Sequence, residues 1–328
     1  MEPTYPRPAT DRAHVLPSLK ERPVTPATCV SSLPKRHRAR ATLRRAALAC
    51  ALLLAPAWSA WAGPVGYSAW DVSGTDKLVR FDLATGVGTV IGRIQNADGT
   101  EGYSDVDGLA FDAQGLLWAV NDTDNALLSI NASTGVAIEV GLLGSGINDM
   151  GLAFVGSTLY MSATNSADTV GSLYTVNTTT GAATKVGDFS NGLNVRSLGY
   201  YGGSLFGWTG DDTLVSINTA NAATTTIGSF GFSPAGRDGM DVDPNTGVIW
   251  GLGDAEARTY TLNASTGLAT VVAQQVCVEN NVSNVNCSGG GFNGLAIQAV
   301  PEPGSLALAG LGLLAAWAPR ARRRALRT

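Results

Sequence analysis

From Gly63 to Val300 the chain reads as short runs in which apolar and polar positions alternate, rich in Val, Ile, Thr and Tyr. A period of two puts successive side chains on opposite faces of a strand. The runs come in pairs around one phrase: Asn or Asp, two residues, then Thr-Gly. It stands as VRFDLATGVGTVIG from Val79, LLSINASTGVAIEVG from Leu127, LYTVNTTTGAATKVG from Leu173, LVSINTANAATTTIG from Leu214 and TYTLNASTGLATVVA from Thr259. Each reads as a β-hairpin. The lead residue, Asp82, Asn131, Asn177, Asn218 or Asn263, bonds to nearby backbone N–H groups and starts the turn. Four residues on, Gly86, Gly135, Gly181 and Gly267 supply a positive φ that other residues reach only at a cost. Ala222 breaks the rule, and Asn221 beside it is expected to take the left-handed conformation instead.

A second phrase lies between the hairpins: Gly-Leu-Ala-Phe, a turn, then an aromatic strand. It runs GLAFDAQGLLWAV from Gly108, GLAFVGSTLYMSA from Gly151, SLGYYGGSLFGWT from Ser197 and GMDVDPNTGVIWGL from Gly239. The hairpin leads are spaced 49, 46, 41 and 45 residues apart. About four strands in about 45 residues is the make-up of a propeller blade. A fifth copy, GLAIQAV from Gly294, has no aromatic strand after it, while GYSAWDV from Gly66 is an aromatic strand with no partner before it. The two ends are complementary. The prediction is an all-β fold, a five-bladed β-propeller closed by an N-terminal strand, which leaves fewer free sheet edges. An open β-solenoid is the alternative, but it has no need of complementary ends. From Gly239 to Gly294 there are 55 residues, against 42 to 46 between the other copies. The excess holds Cys277 and Cys287, and reads as a surface loop closed by a disulfide, as suits an oxidising compartment.

Both ends of the chain differ from this middle. Ten Lys or Arg lie between Met1 and Arg45, and an apolar run follows that ends Ala60-Trp61-Ala62. A basic region, an apolar region and small residues at −3 and −1 make a secretory signal peptide. Residues 35–62 are read as that signal, with cleavage between Ala62 and Gly63. Residues 1–34, rich in Pro, Thr and Arg, read as a disordered extension or an over-called start. The other end, residues 301–328, opens with Pro301-Glu302-Pro303. An apolar stretch from Gly304 to Ala318 follows, then Arg320, Arg322, Arg323 and Arg324. As a helix at about 1.5 Å per residue the stretch reaches about 22 Å, short of the roughly 20 residues a comfortable span needs. The positive-inside rule puts both arginine clusters in the cytoplasm, so residues 63–300 are exported.

Pro-Glu-Pro, a short apolar helix and a terminal Arg cluster, in that order at the C-terminus, resemble the PEP-CTERM sorting signal of Gram-negative bacteria. The resemblance implies recognition by an exosortase, an integral-membrane enzyme that cuts near the Pro-Glu-Pro, and an association with exopolysaccharide and biofilm production. It covers residues 301–328 and says nothing of the repeat.

Charge narrows the function of the exported part. Residues 63–300 hold 22 Asp or Glu against 7 Lys or Arg, a formal charge of −15 that the whole-chain value of −4 conceals. A segment this acidic is not a nucleic-acid binder, since that affinity comes largely from Lys and Arg on phosphates. Both histidines, His14 and His37, lie outside it, which excludes a His-based triad. Aromatics recur at one blade position, Trp118, Tyr160, Phe206 and Trp250, with Trp70 completing the set. They are packing between sheets or platforms for sugars, and equal placement in every blade favours packing. Carboxylates gather ahead of the Gly-Leu-Ala strands: Asp105, Asp107, Asp149 and Asp238, with Asn148 and Asn293 similarly placed. Turn capping is the plain reading. The alternatives are a Ca²⁺ site, for which Asp107, Asp149 and Asp238 are the weak candidates, and the acid–base pair of a glycosidase. No cofactor is expected beyond that calcium. The expectation is a non-enzymatic binding or structural propeller, sorted to the cell surface or the extracellular polysaccharide. A polysaccharide-active enzyme and a Ca²⁺-dependent binding module are the alternatives.

Overall fold

The computed structural model describes residues 63–71, 74–144, 146–165, 169–232, 239–253, 257–279, 282–285 and 291–299. The signal segment and the short C-terminal helix expected from the sequence fall outside the described residues. No helix among the described residues is long and apolar enough to cross a membrane. The chain opens with β1 (Val65–Trp70), β2 (Lys77–Asp82) and β3 (Val87–Arg93). Four blades follow, each continuous in sequence: β4 (Val106–Phe111) to β7 (Ala137–Leu142) through β5 (Leu117–Asn121) and β6 (Ala126–Ile130); β8 (Ile147–Val155) to β11 (Ala183–Asp188) through β9 (Thr158–Asn165) and β10 (Gly171–Val176); β12 (Val195–Tyr201) to β15 (Thr224–Ser229) through β13 (Ser204–Thr209) and β14 (Thr213–Ile217); and β16 (Gly239–Val242) to β19 (Ala269–Gln274) through β17 (Ile249–Gly253) and β18 (Arg258–Leu262). The chain then forms β20 (Val276–Glu279), β21 (Val282–Val285) and β22 (Phe292–Ile297).

The Gly-Leu-Ala phrases are the inner strands, and β22, β4, β8, β12 and β16 each touch the next around a closed ring. The protein is a five-bladed all-β propeller. Burial is high in the strands nearest the axis and low at the outer edge. Every residue of the second strands β1, β5 and β17 is buried, because neighbouring blades cover both faces. The outer strands β7, β11 and β15 are exposed or half-exposed at nearly every position. The inner seams are narrow. A Cβ on Gly108 would stand 2.8 Å from the Leu152 nitrogen, and one on Gly151 2.7 Å from the Arg196 oxygen. No real Cβ sits that close to backbone, so glycine is demanded at these two openings by the approach of two inner strands.

The hairpins follow the sequence reading. Asp82 Oδ1 accepts from the Ala84 and Thr85 N–H groups at 3.1 Å, and Asn177 Oδ1 accepts from Thr179 at 2.8 Å. Asn131, Asn218 and Asn263 do the same with the residue two ahead, each at 2.9 Å. One detail is corrected: Ala222 itself, not Asn221, takes the positive φ, at 61°. Its methyl group is fully buried in a cluster with Phe189, Leu198 and Val215, and that packing offsets the left-handed strain. The other turns could not do this. A Cβ at Gly181 would lie 2.2 Å from the Gly141 oxygen and one at Gly267 2.3 Å from the Gly228 oxygen, each on the outer strand of the preceding blade.

The closing blade runs β22-β1-β2-β3 from the axis outward, so the two chain ends do complete each other. The insertion is corrected as well. It is not only a surface loop: β20 pairs parallel with β3, through Val276–Val87 and Cys277–Gly88, and β21 pairs antiparallel with β20. The closing blade therefore has six strands, and the outer edge of β3 is covered. Cys277 is buried and disulfide-bonded, while Cys287, its expected partner, lies outside the described residues.

Candidate functional site: a cup on the propeller axis

The inner strands share a register, and the register defines a site. The third positions of their Gly-Leu-Ala phrases are Ala110, Ala153, Gly199, Asp241 and Ala296, paired across the sheet with Trp118, Tyr160, Phe206, Trp250 and Tyr67. A small residue on the inner strand thus faces a ring on the second. Trp70 does not complete the aromatic set: it pairs with Phe292, and Tyr67 holds the equivalent place. The fourth positions are Phe111, Phe154, Tyr200, Val242 and Ile297. Each is backed by the aromatic of the neighbouring blade. Tyr67 meets Phe111 at 5.3 Å between ring centres, and Trp118 meets Phe154 at 6.5 Å. Tyr160 and Tyr200 share one core cluster, Phe206 and Val242 another, Trp250 and Ile297 a third. The repeated aromatics are packing between blades, and edge-on ring contacts of this kind add to their area burial.

Where the five inner strands end, these fourth-position residues wall a cavity of about 450 Å³. Ala110, Ala153 and Asp241 also line it, with Asp112, Gln114 and Gly115 from the β4–β5 turn, Pro244, Gln298 and Ala299. Contributions from all five blades place the cup on the axis. Asp241 is half-buried. Its Oδ1 accepts the N–H of Val242 at 2.7 Å, and its Oδ2 accepts that of Ile297, across the seam on β22, at 2.7 Å. Burial disfavours the charged form and pushes its pKa up to about 7. The two N–H bonds oppose the rise and the Asp243 carboxylate adds to it. A carboxyl group near neutrality at the bottom of a concave, aromatic-walled site is a common mark of function. Sequence reasoning passed over it. The available signal was an Asp in GMDV where the other blades have Ala or Gly.

The carboxylates singled out in the sequence lie elsewhere. Asp105 is exposed at a φ of 53°, and its Oδ2 accepts the Thr123 hydroxyl at 2.9 Å. Asp107, half-buried at the opposite end of the inner strand, accepts the Asn293 amide at 3.3 Å across the seam from β22 to β4. Asp149 lies on β8, and Asp238 is outside the described residues. Among the described residues no three His, Cys, Asp or Glu side chains come together as metal ligands. Asp112, on the cup rim, caps its own turn. Its Oδ1 accepts from Gln114 and Leu116 at 2.9 Å and its Oδ2 from the Trp118 indole at 3.0 Å. Gly63 is the first described residue, while Ala60, Ala62, Pro301, Glu302, Pro303, Arg320, Arg322, Arg323 and Arg324 lie outside.

Comparison with known proteins bears on the tail. The PEP-CTERM protein-sorting motif matches residues 299–324. The chain is thus an exported protein that an exosortase processes at the membrane before display at the cell surface. No match is found among curated protein sequences. A gluconolactonase of Xanthomonas campestris is similar in structure at 14% identity and a TM-score of 0.42, covering 72% of this chain and 87% of its own. A likeness that low carries no argument about this chain's chemistry.

Proposed function

We propose that the propeller is a non-enzymatic binding or structural protein, presented by its sorting tail at the surface of a Gram-negative cell or in its extracellular polysaccharide. The observation that carries this reading is how the repeat uses its polar residues. In every blade the Asn or Asp of the hairpin is spent on its own turn. The aromatics are spent on the neighbouring blade, and the sequence's distinctive chemistry sits in the tail. A polysaccharide-active enzyme needs a second carboxylate opposite Asp241 at about 5 to 9 Å. Asp112, the other carboxylate that lines the cup among the described residues, has both oxygens bound within its own hairpin. We assign the partner of Cys277 to Cys287, ten residues on, which pins the inserted hairpin.

The test is deletion of residues 301–328 in the native host. The propeller should stay folded and soluble but leave the surface fraction. Surface display that persists unchanged without those residues overturns the sorting reading.

A further inference from the structure

The bottom of the cup is where the repeat departs from its own rule. Blades with Ala110, Ala153 and Ala296 at this position build the same inner strand, so the architecture does not require an acid there. Asp241 is costly in that place, because a carboxylate taken partly out of water needs a counter-charge or a proton. The described residues that line the cup include no Lys, Arg or His. Besides Asp241 they are the rings Phe111, Phe154 and Tyr200, the aliphatic Val242, Ile297 and Pro244, small residues, two glutamines, and Asp112, whose oxygens its own hairpin occupies. The faces of such rings attract cations, most strongly where water is excluded. Each Asp241 oxygen uses one acceptor site on a backbone N–H and keeps another. The volume suits one small molecule or a single end residue of a chain.

We propose that the axial cup binds an organic ammonium ion, a primary amine on a small, partly apolar body, with Asp241 as its counter-charge. The proposal deepens the binding reading above and rests on it. The aromatic wall takes the body of the ligand, and the ammonium donates to the free lone pairs of Asp241. The amine has two natural sources, a free aliphatic amine or an amino-sugar residue of a polysaccharide. A neutral sugar would leave the carboxylate without the charge it lacks.

The experiment is titration calorimetry on the purified full-length protein. The probes at pH 7 are 1,4-diaminobutane and a glucosamine trimer, against the neutral isosteres 1,4-butanediol and an N-acetylglucosamine trimer. Binding of either amine with at least tenfold preference over its isostere supports the proposal, and the tighter of the two identifies the source. With diaminobutane, which stays charged throughout, affinity should rise about tenfold from pH 6 to pH 8 as Asp241 ionises. The titratable groups around it are Asp243 after β16, Asp112 on the β4–β5 turn and Tyr200 on β12. The β22 side offers the Ile297 N–H and the Gln298 amide. Asp241→Ala installs the residue three other blades already have, so it should fold, and it should abolish both the binding and its pH dependence. Phe154→Leu keeps the wall apolar and should weaken the amine several-fold. Failure of both amines to bind, equal binding of the isosteres, or binding that survives Asp241→Ala overturns the proposal. None of these outcomes touches sorting by the tail, so the two readings fail separately.

Discussion

Four blades of this propeller are local and one is not. Each local blade draws four hydrogen-bonded strands from one continuous stretch, while the closing blade brings β1–β3 from one end of the ring to β20–β22 from the other. The register Gly66–Ile297 joins residues more than two hundred positions apart. A contact of that range gains nothing until a long loop has been closed. The closing blade is held by side-chain bonds as well as by its ladder. Ser68 donates to the Gly294 oxygen at 2.7 Å, and Phe292 packs on Phe81 at 5.0 Å and on Trp70 at 6.1 Å between ring centres. The seams on either side are sewn by side chains. Asp241 holds the Ile297 N–H, the Asn293 amide donates to Asp107, and one seam further on Ser197 Oγ takes the Met240 N–H at 2.7 Å. On the outside, β20 lies along β3. The lesson is that a ring puts its specific chemistry where the chain does not hold itself together.

The sharpest way to break this contrast is to weaken the inner strand at equivalent places. Phe292 on β22 and Val106 on β4 both stand two residues before the Gly of their phrase, and both are buried. Phe292→Ala should cost about 3 to 5 kcal/mol, as large core truncations do. Val106→Ala, which removes two methyl groups, should cost about 1 to 2 kcal/mol. Chemical denaturation of the two variants measures both. A gap no wider than the difference in buried side-chain size would mean that the closing blade carries no special share of the stability.

A second contrast separates the seam at Asp241 from the others by pH. Folded, Asp241 keeps its proton up to about pH 7; unfolded, it releases it near 3.8. The native state therefore holds the extra proton between those values, and its contribution favours folding in acid. It is fully present below about pH 4 and lost as pH rises through 7. The effect is on the order of 2 kcal/mol, since solvent screens a carboxylate that is only half-buried. Asp241→Asn keeps an acceptor for the Ile297 N–H but cannot ionise. Relative to wild type, the variant should gain stability steadily between pH 4 and pH 8, read as thermal unfolding temperatures across that range. A constant offset at every pH would show that Asp241 is an ordinary carboxylate in the fold.

What was legible in the sequence was whatever the repeat states five times. The Asx-led hairpins, the inner and second strands and the complementary ends all rest on phrases whose physics is local: a turn that caps itself, a strand of period two. What depends on pairing between distant strands was hidden. Tyr67 and Trp70 lie on one aromatic strand, and only the partner register, with its shift between Tyr67 and Ala69, decides which one matches Trp118. Ala222 takes the left-handed turn because of a cluster that its own blade forms with the preceding one, which no local rule foresees. The insertion has no repeat to be compared with, so its pairing with β3 left no mark. Asp241 was visible but was passed over, because GMDV lines up with the Gly-Leu-Ala strands and only the inner-strand register shows that its Asp stands over the cup, in a place that is Ala or Gly elsewhere.

The smallest effect tests the outer latch. Lys77 on β2 reaches Glu279 at the end of β20, at 2.8 and 3.0 Å from its two oxygens, and its ammonium also sits 5.4 Å from the Trp70 ring centre. The pair is partly exposed, so Glu279→Gln should cost only about 0.2 to 1 kcal/mol of global stability, less at high salt. Its local effect should be larger, because β20 lies along the ring through one run of parallel pairing with β3. Hydrogen exchange should therefore quicken in Val276–Glu279 of Glu279→Gln while β22 stays protected, since regions open with their own free energies. Quickening spread evenly over both strands would mean that the inner and outer closures are one cooperative unit. The comparison would then lie between the closing blade as a whole and the rest of the ring.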